Sequence, residues 1–322
     1  MTVRTARDVM PLIANLELTN RCNLHCLYCA NRRMKRARAD MSLETLALVM
    51  QRIEEAHIRQ VILNTIGETL LAPHLGDAIR ESKARGLHIL VSTNGQLLNE
   101  LQCELLVASC DVIRISVNAA DESTYRRLHA GGSLEDLVSK VRMLVAVRDE
   151  LRADCTIRVR SVVRAGPGRE RAMRELDSYW APRVDQVEFV TFGNMGGRNG
   201  EKPIDDPRRT RCATMWRGFN VMFDGAVGYC PCDVDGQTGV GSLRRMSFRQ
   251  VWQSRPFRAV RLAHISSRLA DYPRCEDCDA TRVAWYETKR PALSAKEAEI
   301  MDSYLSGWQG SGTAKAAGHA AG

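Results

Sequence analysis

The sequence predicts an α/β protein, built as a partial (β/α)6 barrel followed by a small domain that carries cysteines. Apolar runs of strand length alternate six times with segments whose apolar residues recur at helical spacing, over residues 12–192. Strands joined by helices pair in parallel through right-handed crossovers. Six such units are two fewer than a closed (β/α)8 barrel contains, so a partial TIM-like barrel is expected.

The six predicted strands are residues 12–18, 61–63, 88–91, 112–117, 155–163 and 187–192. Ser42 and Ser133 are predicted to cap two of the intervening helices, and Gly86 is predicted to end a third. After the last strand, the glycine-rich residues 193–200 show no periodicity and are interpreted as a link. The predicted domains are therefore a barrel over residues 1–200, a cysteine-bearing domain over 201–292, and a C-terminal helix with a disordered tail over 293–322.

Polar residues stand just after the carboxyl ends of the first four predicted strands. They are Cys22, Glu68, Asn94 and Asn118. In barrel folds, the loops at this end carry the chemistry. The sequence therefore predicts an active site at this end of the barrel.

Composition limits the class of protein. With 44% hydrophobic and 26% charged residues, the 322-residue chain is typical of a soluble globular protein, and it has no run of 18 apolar residues. Residues 1–10 lack the apolar core of an export signal, so a cytoplasmic location is expected, where eleven cysteines favour metal binding over disulfides. The net charge of +8 is spread along the chain, and the basic run 32–38 is interpreted as solvated. We expect neither a nucleic-acid nor a membrane partner.

Three cysteines, Cys22, Cys26 and Cys29, lie in the loop after the first predicted strand. A loop with these spacings can fold three thiolates around one metal cluster. Three ligands on a four-iron cube leave one iron without a protein ligand, and an open coordination position is typical of a catalytic metal site. Three buried core cysteines are the alternative, which the polar residues between them disfavour.

This Cys-x3-Cys-x2-Cys loop, with Tyr28 before its last cysteine, resembles the cluster loop of the radical S-adenosylmethionine (SAM) enzymes. The resemblance implies a [4Fe-4S] cluster on the three cysteines, with SAM bound to the remaining iron. It also implies that one electron from the cluster cleaves SAM, and that a 5'-deoxyadenosyl radical then abstracts a hydrogen atom from the substrate. A donor such as flavodoxin or ferredoxin would supply the electron.

Other residues match the SAM site of this family. Gly67-Glu68 resembles the end of its GGE motif, which holds the SAM amino group, although Ile66 replaces the first glycine. By resemblance, Ser116 or Asn118 contacts the SAM ribose. The residues assigned to SAM binding are Tyr28, Gly67, Glu68, Asn94, Ser116, Asn118 and Arg158.

Alternation along the fourth and fifth strands turns polar side chains into the barrel and apolar ones towards the helices. Arg114, Arg158 and Arg160 belong to the inward set, and by resemblance an arginine of the fifth strand meets the SAM carboxylate. More inward arginines than SAM needs would indicate an anionic group on the substrate. Alternatively, some of them pair with Glu17 and Glu188.

A second set of cysteines follows the link, namely Cys212, Cys230, Cys275 and Cys278. Four thiolates can saturate an iron-sulfur cluster, and a four-cysteine zinc site is the alternative. The surrounding Gly-x4-Cys and the later Cys-x2-Cys resemble the SPASM extension of radical SAM enzymes, in its short twitch form with one auxiliary [4Fe-4S] cluster. The cysteine gaps resemble those of a butirosin-pathway dehydrogenase that oxidises an aminocyclitol alcohol.

These features predict a radical SAM enzyme that oxidises an alcohol carbon of a carbohydrate or aminocyclitol in antibiotic biosynthesis. A redox-neutral sugar epimerase, with Cys155 or Cys232 as hydrogen donor, and a sugar-acid decarboxylase are alternatives. A maturase of ribosomal peptides and a zinc-binding scaffold are two further alternatives. The candidate catalytic residues are Cys155, Cys232, Arg158, Arg160 and Glu188.

Overall fold

The computed structural model describes residues 10–200, 202, 212, 214–281 and 296–300. Its strands are β1 (Ile13–Leu16), β2 (Gln60–Leu63), β3 (His88–Thr93), β4 (Val112–Ser116), β5 (Thr156–Val163), β6 (Gln186–Thr191), β7 (Gly218–Val221), β8 (Ala226–Gly228) and β9 (Gly239–Ser242). Its helices are α1 (Leu43–Glu55), α2 (Leu75–Ala84), α3 (Glu100–Ser109), α4 (Glu122–Leu128), α5 (Leu134–Glu150), α6 (Arg169–Trp180), α7 (Thr214–Arg217), α8 (Phe248–Gln253), α9 (Arg255–Ile265) and α10 (Pro273–Glu276). In this part of the chain, no helix is long and apolar enough to cross a membrane.

The first six strands confirm the predicted partial barrel. They pair in parallel in the order β6-β5-β4-β3-β2-β1, and a helix lies between each consecutive pair. On β4 and β5, Ile113, Ile115, Ile157 and Val159 are fully buried in the hydrophobic core, together with residues of the covering helices. The polar residues that alternate with them therefore face the interior of the barrel.

The predicted caps are present. The Ser42 hydroxyl accepts a hydrogen bond from the backbone N–H of Thr45 at 3.2 Å, and the Ser133 hydroxyl accepts one from Asp136 at 3.3 Å. Just after α2, Gly86 adopts a φ of 64°, a left-handed conformation that glycine accommodates without strain. Helix α4 was not predicted, because only Tyr125 among its seven residues is buried and no apolar stripe marks it.

The C-terminal domain extends the barrel sheet, which the sequence did not predict. Strand β7 pairs in parallel with β1, from Ile13 opposite Gly218 to Leu16 opposite Val221. Strands β8 and β9 then continue the sheet in antiparallel fashion. At the join, a Cβ on Gly218 would lie 3.0 Å from the carbonyl oxygen of Ile13, so the close strand approach favours glycine here.

The basic run 32–38 is mostly exposed, as the sequence suggested, but it is anchored through Arg36. Arg36 forms a two-pronged ion pair with the buried Glu17 at the end of β1, and its Nε donates to the carbonyl oxygen of Val234 at 2.5 Å. The backbone N–H of Lys35 donates to Asp235 at 2.7 Å. This segment therefore fastens the cysteine loop to the C-terminal domain.

Helical residues 296–300 cover the amino ends of the barrel strands. Glu297 pairs with Arg158 at 3.3 Å, Glu299 with Arg59 at 2.6 Å, and Lys296 with Asp111 at 3.1 Å. The rest of the predicted C-terminal helix and tail lies outside the described residues, as do residues 201, 203–211, 213 and 282–292 of the second predicted domain.

Candidate active site

The three cysteines of the first loop are held close together between β1 and α1. Burial raises the pKa of Cys22 to about 11 and that of Cys26 to about 12, and the neighbouring thiols raise the pKa of Cys26 further. Burial also raises the pKa of Cys29. Without a bound cation these thiols stay protonated, whereas a metal deprotonates a coordinating thiol outright.

The donor set fits a cluster better than a single ion. Among the described residues, no group of three or more His, Cys, Asp or Glu side chains converges closely enough to hold one metal ion. In a [4Fe-4S] cube each thiolate binds a different iron, so its ligands stand further apart than those of one zinc ion. Cys22, Cys26 and Cys29 are thus suited to hold the cube.

Gly67 and Glu68 join the second strand to the cysteine loop. A Cβ on Gly67 would lie 2.3 Å from the carbonyl oxygen of Thr19 and 2.7 Å from that of Arg21, so only glycine fits. The backbone N–H of Glu68 donates to the carbonyl oxygen of Arg21 at 2.7 Å. The predicted GGE-like turn therefore packs directly beneath the loop that carries the cysteines.

The Glu68 carboxylate is buried and points to the end of β3. It accepts hydrogen bonds from the backbone N–H groups of Leu70 (3.0 Å) and Asn94 (2.7 Å), and from the Thr93 hydroxyl. Burial raises the pKa of Glu68 although these bonds oppose the shift. Its role towards the SAM amino group stays a prediction.

Two asparagines tie the strand ends to the loop and to each other. The Asn94 amide donates to Asn23 at 2.8 Å, between Cys22 and Leu24. The Asn118 side chain accepts from the backbone N–H of Val162 on β5 at 2.7 Å, and its own backbone N–H donates to His129 at 3.1 Å. Tyr28 stands against His129 with their rings edge-to-face. These predicted SAM residues therefore lie together at the carboxyl ends of the strands.

Several charged side chains line the barrel interior below the carboxyl ends of the strands. Arg114 aligns with Arg158, Ser116 aligns with Arg160, and Arg160 aligns with Glu188 across β4, β5 and β6. Arg160 donates a hydrogen bond to one oxygen of Glu188, whereas the other oxygen, Oε2, is buried and has no hydrogen-bond partner among the described residues. Burial disfavours ionisation of Glu188, but Arg160, Arg114 and Arg158 together hold its pKa below the usual range. At neutral pH Glu188 is therefore ionised, and within the described part of the chain its Oε2 atom is an unused hydrogen-bond acceptor.

Two predicted site residues lie at the wrong end of the barrel. Arg158 is 4% exposed and pairs with Glu297, which belongs to the helical residues that cover the amino ends of the strands. Cys155 precedes β5 at that same end, is buried in the core, and its thiol is close enough to Cys110 to raise that group's pKa further. Their positions argue against contact with SAM for Arg158 and against hydrogen donation to a substrate for Cys155.

The second set brings together five thiols rather than four. Cys212, Cys230, Cys275 and Cys278 influence one another electrostatically, and Cys232 joins them. A hydrogen bond from Cys232, helped by Arg198, lowers the pKa of Cys230 to about 7, while the same bond raises the pKa of Cys232. The set offers four ligands for a cluster and one further thiol.

The glycine-rich link is an ordered part of this second site. The Asn194 amide donates to the carbonyl oxygen of Asp277 at 2.7 Å, inside the Cys-x2-Cys. Asn194 and Asp279 also exchange hydrogen bonds at 2.8 and 3.0 Å. Arg198 from the same link directs a guanidinium N–H at the Cys230 sulfur, 3.9 Å away. The interpretation of this segment as a plain link was therefore incomplete.

Sequence reasoning missed His129, Asn194 and Arg198. Their neighbours gave a signal, because His129 is followed by Ala-Gly-Gly and Asn194 and Arg198 lie in a glycine-rich run, and such turns bring polar side chains close to other backbone. Their partners, however, lie between 11 and 103 residues away in the chain. No local pattern specifies contacts of that kind.

Comparison with known families agrees with both sites. The model of the radical SAM superfamily matches residues 16–156, and that of the SPASM iron-sulfur cluster-binding domain matches residues 212–279. The first match contains the Cys22 loop and the ends of the first four strands. The second contains all five cysteines of the second set.

Curated relatives share parts of the chain. A tungsten-containing aldehyde ferredoxin oxidoreductase cofactor-modifying protein of Pyrococcus furiosus is 30% identical over 145 residues, 42% of this chain and 39% of that protein. The chain thus spans about 40% of the length of that relative. A GTP 3',8-cyclase of Corynebacterium glutamicum is 25% identical, over 98% of this chain and 82% of that protein.

Solved structures share the fold. BtrN, in complex with AdoMet and 2-DOIA, aligns with a TM-score of 0.60 at 17% identity, covering 88% of this chain and all of BtrN. SuiB of Streptococcus suis, bound to the precursor peptide SuiA, aligns with a TM-score of 0.63 at 12% identity, covering 85% of this chain and 71% of SuiB. The two domain models, the parallel barrel and the two cysteine sets agree: the chain belongs to the radical SAM superfamily and carries a SPASM-type iron-sulfur domain after its barrel.

Proposed function

We propose that this radical SAM enzyme oxidises an alcohol carbon of a carbohydrate or aminocyclitol. Cys22, Cys26 and Cys29 would hold the SAM-binding cluster, and Cys212, Cys230, Cys275 and Cys278 the auxiliary one. When bound, the first cluster and SAM supply a 5'-deoxyadenosyl radical that abstracts a hydrogen atom from carbon, and the auxiliary cluster supplies a one-electron acceptor. The predicted SAM residues around them are Tyr28, Gly67, Glu68, Asn94, Ser116 and Asn118.

Glu188 carries the proposal. Oxidation of an alcohol carbon to a ketone removes one hydrogen atom from carbon, one proton from the hydroxyl group and one further electron. The proton needs a base inside the barrel. Glu188 faces the interior, is held ionised by the neighbouring arginines, and has one buried oxygen that accepts no hydrogen bond from any residue the structure describes. A substrate hydroxyl would complete the hydrogen bonding of that oxygen and hand over its proton there.

The second cysteine set supports the same reaction. Four thiolates saturate a cluster and leave no iron open to a substrate, which suits electron transfer better than substrate binding. The fold shared with BtrN, whose crystal contained AdoMet and 2-DOIA, is compatible with a substrate of this size. We expect flavodoxin or ferredoxin as the electron donor, in the reducing cytoplasm.

The test is anaerobic turnover with SAM and a reductant in deuterated buffer, over aminocyclitols, amino sugars, sugar acids, GTP and short peptides. We expect 5'-deoxyadenosine together with a product lighter by two hydrogens. Glu188→Gln keeps the size of the side chain but cannot accept the proton, so ketone formation should fall about 100-fold or more. Glu299→Gln, at a surface glutamate that is 63% exposed, is the matched control and should turn over normally.

Other products would identify the alternatives. Arg114 has no ion pair within the described residues and donates to Ser92 at 3.2 Å, so an anionic substrate group would be stabilised beside it. Loss of carbon dioxide from a sugar acid, or conversion of GTP, would indicate an anionic substrate held beside Arg114 in place of alcohol oxidation. One deuterium gained on an unchanged skeleton would indicate epimerisation with Cys232 as the donor. Turnover of peptides alone would contradict the carbohydrate proposal.

A further inference from the structure

His129 is a buried side chain in the site to which the proposed reaction assigns no task. It follows α4 and is 1% exposed. Its ring is stacked on Tyr125, with ring centres 4.6 Å apart and planes inclined by 15°. The Tyr28 ring meets it edge-on at 5.6 Å. The imidazole is therefore fixed in position on two sides before any group binds.

The hydrogen bonds of His129 define its tautomer. The backbone N–H of Asn118 donates to Nε2 at 3.1 Å, so Nε2 must present a lone pair. A doubly protonated ring has no lone pair on either nitrogen and cannot accept this bond. The ring is therefore neutral with its proton on Nδ1, and Nδ1 is a hydrogen-bond donor.

The Nδ1–H group faces the sulfur of Cys26. The Nδ1 to Sγ distance is 3.5 Å, which is a hydrogen-bond distance for the large sulfur atom. The Tyr28 hydroxyl oxygen is 3.4 Å from both ring nitrogens, beyond the usual length of an N–H···O bond. Cys26 is therefore the better acceptor for this proton.

Two backbone hydrogen bonds, one on each side of Cys26 and His129, hold these two residues next to each other. The N–H of His25 donates to the carbonyl oxygen of Ala130 at 2.9 Å, and the N–H of Leu27 donates to that of Leu128 at 2.9 Å. These two bonds flank Cys26 on one segment and His129 on the other. The approach of the imidazole to the sulfur is thus built into the fold.

We propose that His129 is a positioning residue that donates an N–H···S hydrogen bond to Cys26 and raises the reduction potential of the first cluster. The inference rests on the cluster ligation assigned above. A reduced cluster carries one more negative charge, so its thiolates accept hydrogen bonds more strongly, and hydrogen bonds to the sulfurs are a known determinant of cluster potential. Removing the donor should therefore make reduction harder.

The test is a redox titration of the reconstituted protein followed by electron paramagnetic resonance (EPR), in His129→Phe and His129→Asn. The signal that disappears in Cys22→Ala belongs to the first cluster. We expect His129→Phe to lower the equilibrium constant for reduction about tenfold, a shift of about 59 mV to more negative potential. His129→Asn, whose amide can replace Nδ1–H, should keep most of the wild-type value.

His264→Phe is the matched control, since His264 is equally buried but lies in α9 and packs beside Trp216. It should leave the first cluster's potential unchanged. An unchanged potential in His129→Phe with full iron content would overturn the inference, and so would equal shifts in the Phe and Asn variants.

A second measurement uses unaltered residue 129 and so does not depend on the folding of a variant there. In protein labelled with 15N-histidine, pulsed EPR of the reduced first cluster should detect a weakly coupled histidine nitrogen. The coupling should persist in His25→Ala, which removes the exposed histidine next to Cys26. Its absence, or its loss in that variant, would contradict a bond from His129. A cluster with this coupling but no alcohol oxidation would leave the inference standing and remove only the proposed reaction.

Discussion

Single side chains at this site serve packing and chemistry together. The shape around Gly67 leaves no room for a Cβ, because two carbonyl oxygens of the cysteine-loop entry lie within 2.7 Å of where it would be. The resemblance to a GGE motif assigned this glycine to SAM binding. Its steric role exists without any ligand, so the same residue also shapes the loop that carries the cysteines.

Gly67→Ala should force the Thr19–Arg21 segment away from the second strand. We expect a loss of about 1–3 kcal/mol in the free energy of unfolding, as is typical of overpacked sites. The iron content after reconstitution should also fall. Chemical denaturation and iron analysis would measure both effects.

Gly76→Ala is the control for that substitution. Gly76 lies near the start of α2, where the added Cβ would meet no atom closer than 3.5 Å. Alanine should leave stability unchanged or raise it by about 0.4–1 kcal/mol. Equal stability of the two variants would show that the close approach at Gly67 can relax.

At the level of helices and strands, local pattern was sufficient for the barrel. Each of the first six strands starts within one residue of its predicted start, since the apolar residues that pack against the helices mark it in the sequence. Helix α4 lacks that pattern. Strand β7 is short, and its pairing with β1 joins residues about 200 positions apart, which no local periodicity encodes.

The cover formed by residues 296–300 gives a test at this level. Arg158 and Glu297 have side chains only 5% and 8% exposed, so Glu297→Ala would leave a buried guanidinium without this partner. We expect a loss of about 3–5 kcal/mol in the free energy of unfolding. Glu299→Ala breaks the exposed pair with Arg59, which solvent screens, and should lower the free energy of unfolding far less than Glu297→Ala does. Urea denaturation of both variants would measure the two free energies of unfolding. Equal, small losses would mean that residues 296–300 contribute little to the stability of the fold.

Across the whole molecule, the barrel and the SPASM-type domain share one sheet. Predicted from sequence as separate units, they are joined by the pairing of β1 with β7 and by Arg36, which contacts both Glu17 and Val234. The two cysteine sets were both found from spacing, because ligand patterns are local. The junction between the two domains was not predicted, because it depends on the pairing of β1 with β7, which are far apart in the sequence.

This shared sheet predicts cooperative unfolding. In differential scanning calorimetry of the metal-free protein under reducing conditions, we expect a single transition for both domains. Two resolved transitions, with the smaller one assigned to residues after 200 by limited proteolysis, would show that the strand pairing does not couple them.

The sheet has a consequence for the size of molecule that the enzyme can admit. In the described part of the chain, β6 and β9 are the two ends of the strand order and do not pair with each other. In a closed barrel, strand number and shear set the diameter. A sheet whose two end strands are not paired has no such fixed diameter. The end strands β6 and β9 can move apart to admit a larger substrate without breaking any strand pair, so substitutions confined to the residues that line the interior could change the preferred substrate from a small ring to a longer chain.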